Sequence, residues 1–429
     1  MPDLIVFSHL RWDFVFQRPQ HLLSRLAQHF RVIVVEEPER GEGLPHFRRS
    51  TPQQNIEVLR PVTPVEAGGF HDDQLSVLQP LLVEHLRREG IEDYLVWFYT
   101  PMALPLLSQL SPRAIVYDCM DELASFKNAP RQMRQRETAL LKMADLVFTG
   151  GPSLYEAKRD LHPSVHCLPS AVDVGHYAPA NIVHDPETEA LQAHIPGPRL
   201  GFFGVIDERL DPELIGRLAD AHPEWQVVMV GPVVKIDPAR LPQRPNIHWL
   251  GQQDYKRLPQ LVAGWDLCLM PFAINEATRF ISPTKTLEYM AAEKPVVSTP
   301  VRDVVGLYGD VVRIAHDPAE FIAACEEALA ETGHRRTERL GAMLASVSRF
   351  SWDGTATVMR ELIEEVLAKR PAAMPHPGMQ ALTADVLPPN VVLAPTAQRA
   401  AAPQEAATDA AAVQAAAPLP AVAEAGRRR

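Results

Sequence analysis

The chain has 429 residues and a formal net charge of -11, long enough for two domains with buried cores and too acidic overall for nucleic acid to be its main partner. Cys119, Cys167, Cys268 and Cys325 lie far apart and form no Cys-x-x-Cys or zinc spacing, so they read as free thiols of a reducing compartment. No stretch reaches the roughly 18 apolar residues that cross a bilayer, and the N-terminal apolar run is a strand rather than a signal peptide. These features point to a cytoplasmic protein, soluble or resting peripherally on the inner face of a membrane.

In chain order, Val/Ile/Leu-rich runs predict strands at 4–7, 32–35, 56–62, 94–99, 114–117, 146–149 and 165–168. Amphipathic stretches predict helices at 20–29, 74–88, 131–144 and 153–161. Continuous apolar strands alternating with helices imply βαβ units and a parallel sheet covered on both faces. Residues 179–198 turn polar, with scattered Pro and Gly, and predict a connection between domains 1–178 and 199–350. The strand rhythm then restarts at 200–203, 226–230, 247–250, 267–270, 296–298 and 311–314, with helices at 211–221, 258–264, 284–293 and 319–332. A last amphipathic helix is predicted at 351–370. Residues 371–429 are Ala/Pro-rich without Phe, Tyr or Trp and predict a disordered tail.

The most informative segment is PFAINEATRFISPTKTLEYMAAEKPVVSTP, residues 271–300. Ser282 is a candidate N-cap, Pro283 suits the first helical position, and Thr284 follows. The free amides of such a helix start, at the positive end of its dipole, suit a diphosphate. Lys285 and Glu288, three apart, share one face: the lysine fits an anion bound at the helix start, and the glutamate fits ribose hydroxyls. A capped helix with a Lys–Glu surface pair is the competing reading of the same residues.

The run SPTKTLEYMAAEKPVVSTP resembles the donor segment of GT-B-fold glycosyltransferases of the glycosyl-transferase group 1 type, with its Pro-x-Lys-x-x-Glu-Tyr-Met-Ala pattern. GFFGVIDERLDPELI, VVMVGPVV and CLPSAVDVGHY resemble further segments of that family. The resemblance implies an α/β GT-B fold: two Rossmann-like domains flank a cleft, and a C-terminal helix crosses back to the first. It implies a sugar-nucleotide donor gripped by Glu288 through ribose and by Ser282, Thr284, Lys285, Gly204, Gly231 and Arg209 through phosphate, with Lys235 as a further cation. Activity without a metal or resident cofactor follows from the same resemblance. A sugar-nucleotide epimerase and a non-catalytic assembly module of the same fold are the alternatives.

Two departures stand out. Phe280 occupies the position, eight before Glu288, where many retaining members carry a first glutamate, so Asn275, Glu276 and Arg279 become the candidate sugar contacts. Val205 stands where the family's usual arginine would be. Both stereochemical courses therefore remain open.

On the first domain, SHLRWDFVFQRPQHLL mixes aromatic and polar groups in the loop after the first strand. Trp12, Asp13, Arg18, His21 and the strand-end Tyr99 are candidate acceptor contacts, because aromatics stack on sugars while polar groups bond hydroxyls. Packing of the loop on its own domain is the competing reading. The loop resembles that of bacterial cell-wall and exopolysaccharide glycosyltransferases, including the teichuronic-acid type, which implies a glycan or lipid-linked glycan acceptor. Asp118, Asp121 and His9, with Asp13 behind them, are candidate general bases; helix capping competes for each aspartate. Lys127, Arg131, Arg134, Arg136 and Lys142 make one region basic, either a solvated face or a seat for anionic lipid.

Overall fold

A computed structural model describes residues 2–127, 129–370 and 376. The expected disordered tail, 371–429, lies outside the described residues apart from His376. The first body contains β1 (Asp3–Ser8), β2 (Val32–Glu36), β3 (Glu39–Arg40), β4 (His46–Gln53), β5 (Ile56–Thr63), β6 (Tyr94–Phe98), β7 (Ile115–Cys119), β8 (Leu146–Thr149) and β9 (Val165–Cys167). They form one sheet in the order β3-β5-β2-β1-β6-β7-β8-β9, parallel throughout except that β4 pairs antiparallel with β5. Its helices are α1 (Arg18–Leu26), α2 (Asp72–Arg88), α3 (Gln132–Met143) and α4 (Pro152–Lys158). The β3 and β4 strands have no apolar run to announce them: β4 (HFRRSTPQ) is almost wholly exposed and is held by pairing with β5.

A connection carrying α5 (Val174–Tyr177) and α6 (Pro186–Ala190) leads to the second body. There β10 (Arg199–Phe203), β11 (Gln226–Val230), β12 (Ile247–Trp249), β13 (Leu267–Met270), β14 (Val296–Ser298) and β15 (Arg313–Ile314) form an all-parallel sheet, ordered β12-β11-β10-β13-β14-β15. Around it lie α7 (Pro212–Ala221), α8 (Leu258–Ala263), α9 (Thr284–Ala291), α10 (Arg302–Tyr308), α11 (Pro318–Ala330) and α12 (Gly333–Val347). Of these, α10 and α12 were not expected.

The chain then crosses back as α13 (Trp352–Ala368), whose N-cap Ser351 accepts from the Gly354 amide at 3.0 Å. Its buried stripe of Trp352, Met359, Ile363 and Leu367 packs with Leu22, Leu23 and Leu26 of α1, so the crossover helix is part of the first body's core. The opposite face of the first sheet has its own core, and the second body's core includes Tyr177 and Ile195 from the connection.

In both sheets the strand order reverses at the first strand: β1 lies between β2 and β6, and β10 between β11 and β13. Crossover helices leave such switch points in opposite directions, and the crevice between them is where α/β sheets seat ligands. The loops after β1 and β10 open at these two points.

Candidate functional site

Both switch-point loops reach one cavity of about 290 Å³, lined from the first body by 12–17 and His21 and from the second by residues including Gly204, Arg209, Gly231, Gln252, Tyr255, Thr284, Lys285 and Glu288. On the second body's side the wall is backbone-tight. Gly204 and Gly231 have φ of +140° and +146°, a region that side chains rarely adopt. A Cβ on Gly231 would strike the Gly204 carbonyl, and one on Gly204 would strike Lys285 Cε. The two glycines therefore let β10, β11 and the lysine close on one point.

The α9 helix starts at Thr284 with Pro283 in the cap position, its ψ of 119° extended and with no side-chain cap bond. Ser282 is thus one residue outside the cap and does not serve as the expected N-cap; a Cβ on Gly151 of the first body would meet its side chain. At the cavity wall Glu288 is buried and Lys285 half-buried. Burial lowers the Lys285 pKa and pushes Glu288 up to about 7, while the neighbouring cation and carboxylate oppose these shifts. The Tyr177 hydroxyl, from α5, donates to Glu288 Oε1 at 3.2 Å. This places the Lys–Glu pair in the cleft and removes the surface-pair reading.

Arg209, expected as a phosphate cation, reaches the cavity with its guanidinium forked onto Asp207 at 2.7–3.1 Å. Its charge, with that of Lys285, also acts on Asp121 across the cleft. Phe126 of the first body lies 5.6 Å from Arg209 and 5.0 Å from Lys235, within cation–π reach of both.

Asn275, Glu276 and Arg279 are exposed and off the cavity wall. Asn275 caps a short turn through Thr278 and donates to the Glu208 carbonyl, while Glu276 and Arg279 pair with each other at 3.7 Å. These three expected sugar contacts are turn residues here. Glu208 was missed: both of its carboxylate oxygens are buried without a hydrogen-bond partner among the described residues, on the loop that also carries Arg209. Only its place in the IDER turn after β10 could have singled it out.

The first body's wall corrects several expectations. Arg18 is 3% exposed and its guanidinium grips Asp118, itself 0% exposed, at 2.9–3.1 Å; it also donates to the Leu168 carbonyl. Arg18 is thus no acceptor contact and Asp118 no free base: together they form a buried ion pair joining α1 to β7. Tyr99 is 1% exposed within the apolar core behind the sheet's end. His21 touches the cavity edge but is stacked on Trp352 at 4.8 Å, and burial drives its pKa down to about 3.

Trp12 and Asp13 remain on the cavity. Their loop is fixed by Glu36 at the end of β2, which accepts from the Trp12 amide at 2.7 Å and from Arg60 at 2.5 Å, while Arg60 also holds Asp13 at 2.8 Å. The loop leans onto the second body: Gln252 donates to the Phe14 carbonyl at 2.6 Å, and Phe16 stacks on Tyr255 at 4.6 Å. His9 lies off the cavity wall; burial and Lys235 lower its pKa to about 4, and its Nδ1 has no partner among the described residues. Asp121 is held above the usual carboxylate range by burial.

Two parallel sheets meeting across a cavity at their switch points define the GT-B class, and solved structures agree on the frame. Trehalose-6-phosphate synthase of E. coli, in a structure bound with UDP-2-fluoro glucose, superposes with TM-score 0.63 at 14% identity, over 85% of this chain and 99% of that one. Sucrose-phosphate synthase from Thermosynechococcus elongatus gives 0.63 at 16% over 86% and 100%. HepE of Anabaena, solved in complex with UDP, gives 0.60 at 17% over 85% and 100%. Residues 202–331 match the family model described as Glycosyl transferases group 1. A putative teichuronic acid biosynthesis glycosyltransferase, TuaH of Bacillus subtilis (strain 168), is 29% identical over 276 residues, 60% of this chain and 69% of that protein. The chain shares the GT-B fold of these structures, and its residues 202–331 are similar to the group 1 glycosyltransferase domain.

Proposed function

We propose that the protein moves a hexosyl-type sugar from a nucleoside-diphosphate sugar to a cell-envelope glycan or lipid-linked glycan, without a metal. One observation carries this reading: Gly204, Gly231, the start of α9 with Lys285, and Glu288 converge on one cavity. Backbone that closes around two glycines beside a helix start suits a diphosphate, and a buried carboxylate at the fifth residue of that helix, Glu288, suits ribose hydroxyls. UDP or a UDP-sugar in the HepE and trehalose-6-phosphate synthase structures supports a nucleotide donor of that kind.

As the glycosidic bond breaks, negative charge grows on the departing diphosphate, and Lys285, Arg209 and the α9 amides are preorganised to stabilise it. Asp121, with its raised pKa, is a first-body carboxylate within the field of Arg209 and Lys285, and with Asp118 committed to Arg18 it becomes the first candidate for taking the acceptor proton. The similarity to the teichuronic-acid enzyme supports an envelope glycan as acceptor. Lys127, Arg131, Arg134 and Lys142 are exposed, which supports a membrane seat beside the cleft, whereas Arg136 is buried and paired with Asp72 and takes no part in it.

Thermal-shift titration with UDP, ADP and GDP tests the donor reading: a bound nucleotide raises the midpoint of the wild type, and Glu288→Gln abolishes the rise. An unchanged rise in that variant sinks the site. Incubation with the sugar nucleotide alone tests the reaction class, since an altered sugar nucleotide would make the chain an epimerase. Co-sedimentation with phosphatidylserine vesicles, lost in the Arg131→Glu/Arg134→Glu double variant, tests the membrane seat.

A further inference from the structure

We propose that Tyr177 is a positioning residue for Glu288: its hydroxyl holds one carboxylate oxygen in the acceptor form, so that the other is free to receive a ribose hydroxyl. The proposal rests on the ribose role given to Glu288 above.

Tyr177 belongs to the connection between the bodies, not to the nucleotide-binding sheet. It is 0% exposed on α5, its ring lies 6.2 Å from Phe203 and nearly parallel to it, and its hydroxyl donates to Glu288 Oε1 at 3.2 Å. The α5 turn is held in turn by Asp173, which caps it and lies 3.5 Å from Arg25 of α1. A buried carboxylate in an apolar wall tends to take up a proton, and a protonated carboxyl is a poorer acceptor for two hydroxyls. The donor hydrogen bond from Tyr177 and the charge of Lys285 act against that uptake.

The groups facing Glu288 are Lys285 on its own helix, Tyr177 on α5 and Tyr255 on the turn before α8. Arg209, Asp207 and Asp121 lie around Lys285. His21 and His176 flank Tyr255, and burial holds both below the usual histidine range, so neither gains charge near neutrality. Burial pushes the Glu288 carboxyl up to about 7 and lowers the ammonium of Lys285 beside it, so the wall's response to pH centres on this pair.

The test titrates wild type, Tyr177→Phe and Glu288→Gln with UDP, ADP and GDP between pH 6 and 9. Affinities are read as ratios to wild type, so that the nucleotide's own ionisation cancels. Tyr177→Phe keeps the ring and loses the donor, and is expected to weaken binding about tenfold at pH 7. That ratio narrows toward pH 9, where the carboxylate stays charged without help, and the penalty disappears with the 2′,3′-dideoxy nucleotide. If Glu288→Gln is weak but Tyr177→Phe binds as wild type at every pH, the positioning role falls and the ribose reading stands. A Tyr177→Phe penalty that is independent of pH, or that persists with the dideoxy nucleotide, reduces the tyrosine to packing. If Glu288→Gln binds as wild type, or no nucleotide binds the wild type, the ribose reading falls and this proposal with it.

Discussion

On the second body's wall, the groups that meet the cavity come from four short segments: the turns after β10, β11 and β12 and the start of α9. On the first body's wall they come from a single loop, held by Glu36, Arg60 and Gln20, and from His21 on the helix that follows, whose Arg18 pairs with a residue 100 positions away. The first kind of wall is made of backbone geometry and needs particular residues at particular spacings. The second is made of side-chain partnerships, and its polar residues divide between those that face the cavity and those that hold the wall up. Only contacts separate the two roles. Arg18, buried, and Lys285, half-buried, are both cations beside the cleft, yet one has a carboxylate to itself and the other shares a carboxylate with a tyrosine donor.

Removing those two cations should give opposite results. Arg18→Ala leaves Asp118 charged, buried and unpaired, so it is expected to destabilise the fold by about 3–5 kcal/mol, read as a large drop in the thermal midpoint. An unchanged midpoint with a raised acceptor KM would return Arg18 to the acceptor site and dissolve the contrast. Lys285→Ala should weaken nucleotide binding about thirtyfold by calorimetry, the loss of a charged hydrogen bond to phosphate. Its thermal midpoint without nucleotide should stay level or rise, because burial already disfavours that ammonium.

The same division explains what the sequence made legible. The second body's strands could be placed because parallel strands covered on both faces are continuous Val/Ile/Leu runs. Its site could be placed because a helix start, a lysine and a glutamate lie within seven residues, 282–288. The pairing of Arg18 with Asp118 could not be read, since both look like cleft residues at strand and helix ends and nothing local says that they meet. Tyr177 was likewise opaque: it lies in CLPSAVDVGHY, whose pattern speaks of a chain connection and not of a carboxylate on α9. Ser282 failed for a smaller reason, the extended ψ of Pro283, which shifts the helix start by one residue.

The two bodies also touch away from the cavity, and there pH should matter. Asp303, on α10, accepts from the Ser153 amide of the first body at 3.0 Å, while its Oδ2 has no partner among the described residues. Burial raises its pKa from 3.8 to about 6. Between those values the folded chain binds the extra proton, so stability falls as pH rises through the window, and the full penalty of about 2–3 kcal/mol is present above it. Asp303→Asn keeps an acceptor for Ser153 and removes the charge. It should raise the thermal midpoint at pH 8 and leave it unchanged at pH 4; a gain at both would show that the charge is not the cause.

The smallest effect expected bears most directly on the comparison, because it asks which wall the aromatic loop serves. Phe16 stacks on Tyr255 at 4.6 Å and the Phe14 carbonyl accepts from Gln252, so the loop that the sequence offers to an acceptor lies against the second body's cavity residues. Phe16→Leu retains apolar bulk and loses the ring pair, which is worth about 1 kcal/mol. If the loop closes over the nucleotide, UDP affinity should fall about fivefold while the acceptor KM, taken at saturating donor, stays within error. If instead only the acceptor KM rises, the stacking is incidental and the loop is the sugar platform that its composition suggests. Trp12→Leu in parallel shows whether the two aromatics act together: Trp12 is tied through its amide to Glu36 and packs against the first body's core, so it should move the acceptor KM more than UDP affinity.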